Sequence, residues 1–139
     1  MTQNLKSSLR FEKYQVNNIN FRLNDKFSND EEDINIDLSI TKSITYDEAN
    51  KKGSVKLITK VFDNAYENNY PYSCNLEVTG YFSIEGTDNK EECERLLNIN
   101  AVAILFPYIR ALISTYTANA NVAPLILPPI NVNKLTASK

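Results

Sequence analysis

Polar and apolar residues alternate through the first three fifths of the chain, which reads as β-strands there. In the first strand Tyr14 and Val16 share one parity and Ile19, Phe21 and Leu23 take the other. A side-chain period of two cannot change parity without an extra residue, so Asn17-Asn18 predicts a bulge or kink. An acidic stretch, Asp30 to Asp33, precedes the cleanest alternation. There Ile34, Ile36, Leu38 and Ile40 point one way, and Asn35, Asp37, Ser39 and Thr41 the other. Lys51-Lys52-Gly53 marks a turn. Val55, Leu57, Thr59 and Val61 form a third strand, with Ile58 and Phe62 on its other side. Asn68-Asn69-Tyr70-Pro71 is a second turn. Tyr72, Cys74, Leu76, Val78, Phe82 and Ile84 then line one face of a fourth strand, opposite Asn75, Glu77 and Thr79. Turns of this length predict antiparallel neighbours.

After Gly86 the period becomes helical. Asp88 and Glu91 have the spacing of an N-terminal capping box, and an apolar helical region follows to about residue 119. Ile104, Tyr108, Ala111 and Thr115 share one face; Leu105, Ile109, Leu112 and Tyr116 share the next. Between Arg95 and Lys134 the one charged residue is Arg110. A helix lying on a small sheet should show a polar stripe, and this one barely does. It is read as covered on two sides, by its own sheet and by another subunit. It is also read as too short, and too interrupted by Pro107 and Arg110, to span a bilayer. Pro107 removes a backbone hydrogen bond and predicts a kink near Ala103. Beyond Asn121 the run Val122-Ala-Pro-Leu-Ile-Leu-Pro-Pro-Ile130 stops both helix and central strand. So apolar a connector either packs on the core or lines a groove for an apolar partner.

The whole of 1–139 is expected to be one unit: sheet over about 14–84, helix over 88–119, then an apolar crossover loop and short tail over 120–139. The fold class is α+β, a four-stranded antiparallel sheet with a long C-terminal-half helix on one face. Composition narrows the chemistry. There is no histidine, which removes the usual neutral-pH general base and most catalytic zinc sites. Cys74 and Cys93 are too few to fill a tetrahedral metal site and form no C-x-x-C motif. No cofactor, metal site or catalytic residue is expected, and the chain is read as no enzyme. Fifteen basic and seventeen acidic residues give a formal charge of −2, with no field suited to nucleic acid or an anionic membrane. Met1 to Lys13 lacks an apolar leader core, so reduced thiols and a cytoplasmic location are expected.

Ile104-Leu-Phe-Pro-Tyr-Ile-Arg110, Ile113-Ser-Thr115 and Pro124-Leu-Ile-Leu-Pro-Pro-Ile-Asn131 with Leu135 together carry a resemblance. Tyr81-Phe-Ser-Ile-Glu-Gly-Thr87, Cys74-Asn-Leu-Glu-Val78 and Ile19-Asn-Phe21 extend it upstream. The chain is similar to the SecB family of protein-export chaperones, with Val132 where the family has phenylalanine. The resemblance implies an ATP-independent holdase, assembled as a dimer of dimers, that keeps unfolded polypeptides in apolar grooves. Candidate groove residues are Leu76, Val78, Tyr116, Val122, Leu125, Leu127 and Ile130. For Leu76 and Val78 the plainer assignment is sheet core. Candidate oligomer contacts are Val16, Ile104, Tyr108, Arg110 and Leu112, with Arg110 expected to pair with a carboxylate or carbonyls at the interface.

Export members dock the motor SecA on an acidic sheet surface. Here Asn18 and Arg22 stand where those members carry carboxylates, Asn75 stands where they carry leucine, and Glu77 is retained. That weakens docking to a basic partner, SecA included. The chain also ends at Thr136-Ala-Ser-Lys139, where family members continue into another helix. Two alternatives remain open: a SecB-like chaperone outside export, tied to a toxin–antitoxin system and a dedicated client, and a domain binding a small apolar ligand.

Overall fold

A computed structural model describes residues 8–28, 35–132 and 135–137. Ile34, the acidic run Asp30 to Asp33 and the last two residues lie outside the described residues. The strands are β1 (Ser8–Leu23), β2 (Leu38–Asp47), β3 (Lys52–Val61), β4 (Tyr72–Glu85) and the two-residue β5 (Thr136–Ala137). The helices are α1 (Ala65–Asn68), α2 (Lys90–Arg95) and α3 (Val102–Asn119), the last two joined by a π-helical stretch, Leu96–Ala101. The sheet order is β1-β4-β3-β2-β5. The four long strands are antiparallel, and β5 adds a short parallel pairing to the edge of β2.

The parity switch in β1 is a bulge between Val16 and Asn18, and a second register shift lies between Phe11 and Lys13. Each shift flips the alternation, so Leu9, Phe11, Tyr14, Val16, Ile19 and Phe21 all reach the inner face despite their mixed parity. On β4 and β3 the inner residues are continuous: Cys74, Leu76, Val78, Phe82 and Ile84 beside Val55, Leu57 and Val61. The helical layer seals this face through Leu97, Val102, Leu105, Phe106, Ile109 and Ile113. Gly53 and Gly80 let it come close. A Cβ at Gly53 would sit 2.5 Å from Leu97 Cδ1, and one at Gly80 would sit 3.1 Å from Leu105 Cδ1.

Several expectations change. The turn at 51–53 falls earlier: residues 48–51 turn, and Gly53 is a packing position inside β3. β2 starts at Leu38, because β3 ends at Val61 and Phe62 turns away at φ 54°, its N–H bonding Asp37 O at 2.8 Å. It then runs on to Asp47, where the charge of inward-facing Lys42 had hidden the alternation. The N-cap of α2 is Asn89, whose Oδ1 accepts the Glu92 N–H at 3.0 Å; Asp88 instead pairs with Lys51. The helical layer carries a π-helical stretch that ends at Ala101, two residues before the place Pro107 predicted a kink. The helical run Lys90–Asn119 has 30 residues and an apolar window of mean hydropathy 1.7, so it is long and apolar enough to cross a membrane, contrary to the expectation. Here 44% of that window is buried, with Leu105, Phe106, Ile109 and Ile113 packed in the core under the sheet.

Candidate functional site

The apolar run after α3 folds back along the helix that precedes it. Thr117, Ser114 and Arg110 recur at helical spacing and present three polar groups to it. Thr117 Oγ1 accepts the Leu125 N–H at 2.9 Å and donates to Ile113 O at 2.8 Å. Ser114 Oγ donates to Leu125 O at 2.7 Å, and Arg110 Nε donates to Leu127 O at 3.0 Å. A proline-rich segment has few N–H groups of its own to use, so side chains from the helix take up its carbonyls. Arg110 thus finds a carbonyl, as expected, but on its own chain. Leu127 is driven fully into the core, while Ile126 beside it is 73% exposed.

The loop therefore packs on the core and leaves Ile126 exposed. Leu127 anchors it; Val122, Leu125 and Ile130 are half-buried against the core, with Tyr116 also partly exposed nearby on α3. Of the candidate groove residues, Leu76, Val78 and Leu127 are fully buried and line no surface, the first two beneath the helical layer. Of the candidate oligomer residues, Ile104 and Leu112 are half-buried, and Val16 and Tyr108 are exposed at 38% and 40%. Tyr108 leans on β1, its ring centroid 5.0 Å from Tyr14 and 5.3 Å from Phe11. Ala103, Pro107, Ala111, Thr115 and Ala118 form a charge-free exposed row on α3.

The candidate docking residues lie together on the opposite, outer face. Asn18 is in register with Glu77, Asn20 with Asn75, and Arg22 with Ser73. The cations on this face are Arg10, Lys13, Arg22, Lys52, Lys56 and Lys60. The carboxylates are Glu12, Asp47, Glu77 and Glu85. Glu77 is held by Lys56 at 3.1 Å. Asn75 Oδ1 is buried and has no hydrogen-bond partner among the described residues.

A cleft that sequence reasoning missed lies between β2 and α2. It has a volume of about 470 Å³ and is lined by Lys42, Ile44, Tyr46, Glu48, Lys90, Glu94 and Asn98. Lys42 Nζ donates to Asn98 O, in the π-helical stretch, at 3.0 Å. Tyr46 Oη donates to Cys93 Sγ at 3.3 Å, and that bond, with burial, pushes its phenol up to about 12. The inward lysine in an otherwise alternating strand was the available signal. Among the described residues no group of three or more histidine, cysteine or acidic side chains is placed to hold a metal ion.

An antiparallel sheet with a long C-terminal-half helix on one face matches the SecB-like fold. The SecB-like chaperone Rv1957 of Mycobacterium tuberculosis, solved with a peptide from the HigA1 antitoxin, superposes with a TM-score of 0.69 at 15% identity, over 88% of this chain and 90% of that one. A Streptococcus agalactiae protein of unknown function superposes with a TM-score of 0.52 at 15% identity, over 89% of this chain and 99% of the other. The family model described as preprotein translocase subunit SecB matches residues 4–139, and the chain belongs to that family. Uncharacterized protein MJ0357 of Methanocaldococcus jannaschii is 42% identical over 96% of this chain and 85% of its own length. The protein-export protein SecB of Anaplasma phagocytophilum is 36% identical, over 46% of this chain and 42% of its own length. That of Neorickettsia sennetsu is 35% identical, over 50% and 42%. The matched stretches thus span less than half the length of these export proteins. SecB proteins are chaperones, not enzymes.

Proposed function

We propose that this protein is an ATP-independent holdase that keeps unfolded polypeptide segments on the apolar surface shared by the crossover loop, α3 and β1. The observation that carries the reading is the loop itself: Leu127 is wholly buried while its neighbour Ile126 is 73% exposed, on a segment pinned to the helix at three points. Pinning removes the entropy that a free loop would lose on binding, so the exposed side chains are preorganised for an apolar partner. Burying client side chains there gains about 25 cal/mol per Å² and reads hydrophobicity in place of sequence. Tyr116, Val122, Leu125 and Ile130 border the surface, with Leu127 as its anchor. Leu76 and Val78 belong to the supporting core.

The exposed row on α3, with Ile104, Tyr108 and Leu112 beside it, is the proposed contact between dimers, giving a dimer of dimers in the cytoplasm. The cationic outer face speaks against docking a basic motor surface such as that expected of SecA. It favours service outside export, and the peptide-bound SecB-like chaperone of Mycobacterium tuberculosis favours a dedicated client.

The test is suppression of aggregation of a reduced, unfolded client. Wild type should suppress it at stoichiometric ratios, and Ile126→Asp should lose most of that capacity with little change in unfolding midpoint, because Ile126 is mostly solvated already. Full retention of holding by Ile126→Asp, or no holding by wild type, would sink the reading.

A further inference from the structure

The outer face of the sheet carries charge in an order that client holding does not use. On β3, Lys52, Lys56 and Lys60 recur every fourth residue, so all three side chains leave the same face along one line. At about 3.3 Å per residue they stand roughly 13 Å apart. β3 is bonded on both sides, by β2 and β4, which fixes the row in register. Lys56 is matched by Glu77; among the described residues neither Lys52 nor Lys60 has an ion pair. Lys13 on β1 widens the positive zone and lies over the Tyr81 ring at 5.3 Å.

Among the described residues, cations outnumber carboxylates six to four on this face, while the chain's formal charge is −2, so the positive excess is local to the face. α2, the π-helical stretch, α3 and the pinned part of the crossover loop lie on the other side of the sheet.

We propose that this face docks an acidic, extended segment of a partner protein, its carboxylates following the lysine row. The occupant is set by charge complementarity. A basic surface would meet like charge. A nucleic-acid backbone would meet only a small positive excess, interrupted by Glu77 and Glu12. Ile58, between Lys56 and Lys60, and Tyr81 offer apolar contact to peptide side chains, which a phosphate backbone does not use.

The experiment is fluorescence anisotropy of a labelled oligoglutamate peptide with the full chain. Binding should be saturable at low salt and fall steeply as salt rises. Lys52→Ser/Lys60→Ser should weaken it about fivefold or more, since exposed pairs of this kind each contribute a fraction of a kcal/mol to about one. Lys26→Ser/Lys90→Ser, with the same change in net charge but off this face, should leave it within about twofold. Client holding, on the opposite side, should survive all four substitutions, so failure of this proposal and failure of the holdase reading are read separately. Should the double variant not fold, Lys60→Gln, at an exposed position, serves in its place with a smaller expected loss. No saturable binding by wild type, equal loss in both double variants, or tighter capture of oligolysine or single-stranded DNA than of oligoglutamate would overturn the proposal.

Discussion

Tyr72 and Cys74 occupy successive inward positions on β4, and burial sets the chemistry of both. It pushes the Tyr72 phenol from its ordinary value of 10.0 up to about 12, with the neighbouring Cys74 adding a little, and raises the Cys74 thiol as well. A phenol whose folded-state value is raised contributes stability that is fully present below its unfolded value near 10 and is lost as pH rises through 12. Tyr46, raised to about 12 chiefly by its bond to Cys93, acts in the same window. Denaturant titrations should therefore show stability level up to pH 9 or so and declining above about pH 10. Tyr72→Phe/Tyr46→Phe should flatten that decline, and an unchanged alkaline limb in the double variant would refute the assignment. Both thiols are buried, so Ellman's reagent should modify neither quickly in the folded protein and both on unfolding. The alternation of β4 made the inward set legible, including Cys74 as a small buried hydrophobe. It did not reveal the phenol–thiol bond between Tyr46 and Cys93, residues 47 apart in sequence.

The crossover loop and α3 behave as one element because three side chains and one buried leucine join them. Leu127→Ala should cost about 2–5 kcal/mol, the range for deleting a fully buried leucine side chain. Arg110→Ala should cost about 1.5–3 kcal/mol through the lost charged bond to Leu127 O. Thermal and denaturant unfolding check both; a change under 0.5 kcal/mol or so in Leu127→Ala would mean that the loop is not anchored there. Proline and apolar content announced an unusual connector, and the lone charge of Arg110 announced a partner. Which of two adjacent leucine and isoleucine positions faces inward was not legible, because an extended proline-rich segment keeps no simple period. The same limit applies to the π-helical stretch: it is fitted to Lys42 and Gly53, which arrive from β2 and β3.

At the scale of the whole molecule, hairpin lengths correctly joined β2 to β3 and β3 to β4. They said nothing of β1, which pairs with β4 from the far end of the sheet, a partnership set by tertiary packing and not by any local turn. The second bulge, between Phe11 and Lys13, was hidden because the strand was expected to begin at Tyr14. The candidate site was legible mainly through its loop and helix. The two β4 residues assigned to the groove went to the core, because the face they share is wholly covered by the helices of the same chain. Under the proposed function, the charge-free row on α3 is assigned to contact between copies of the chain and the exposed, pinned apolar loop to an unfolded client. Light scattering of the purified protein, alone and mixed with a reduced, unfolded client, tests that most directly. The account predicts a tetramer that takes the client into a stable complex of higher mass. A strict monomer whose mass does not change when client is added would contradict it.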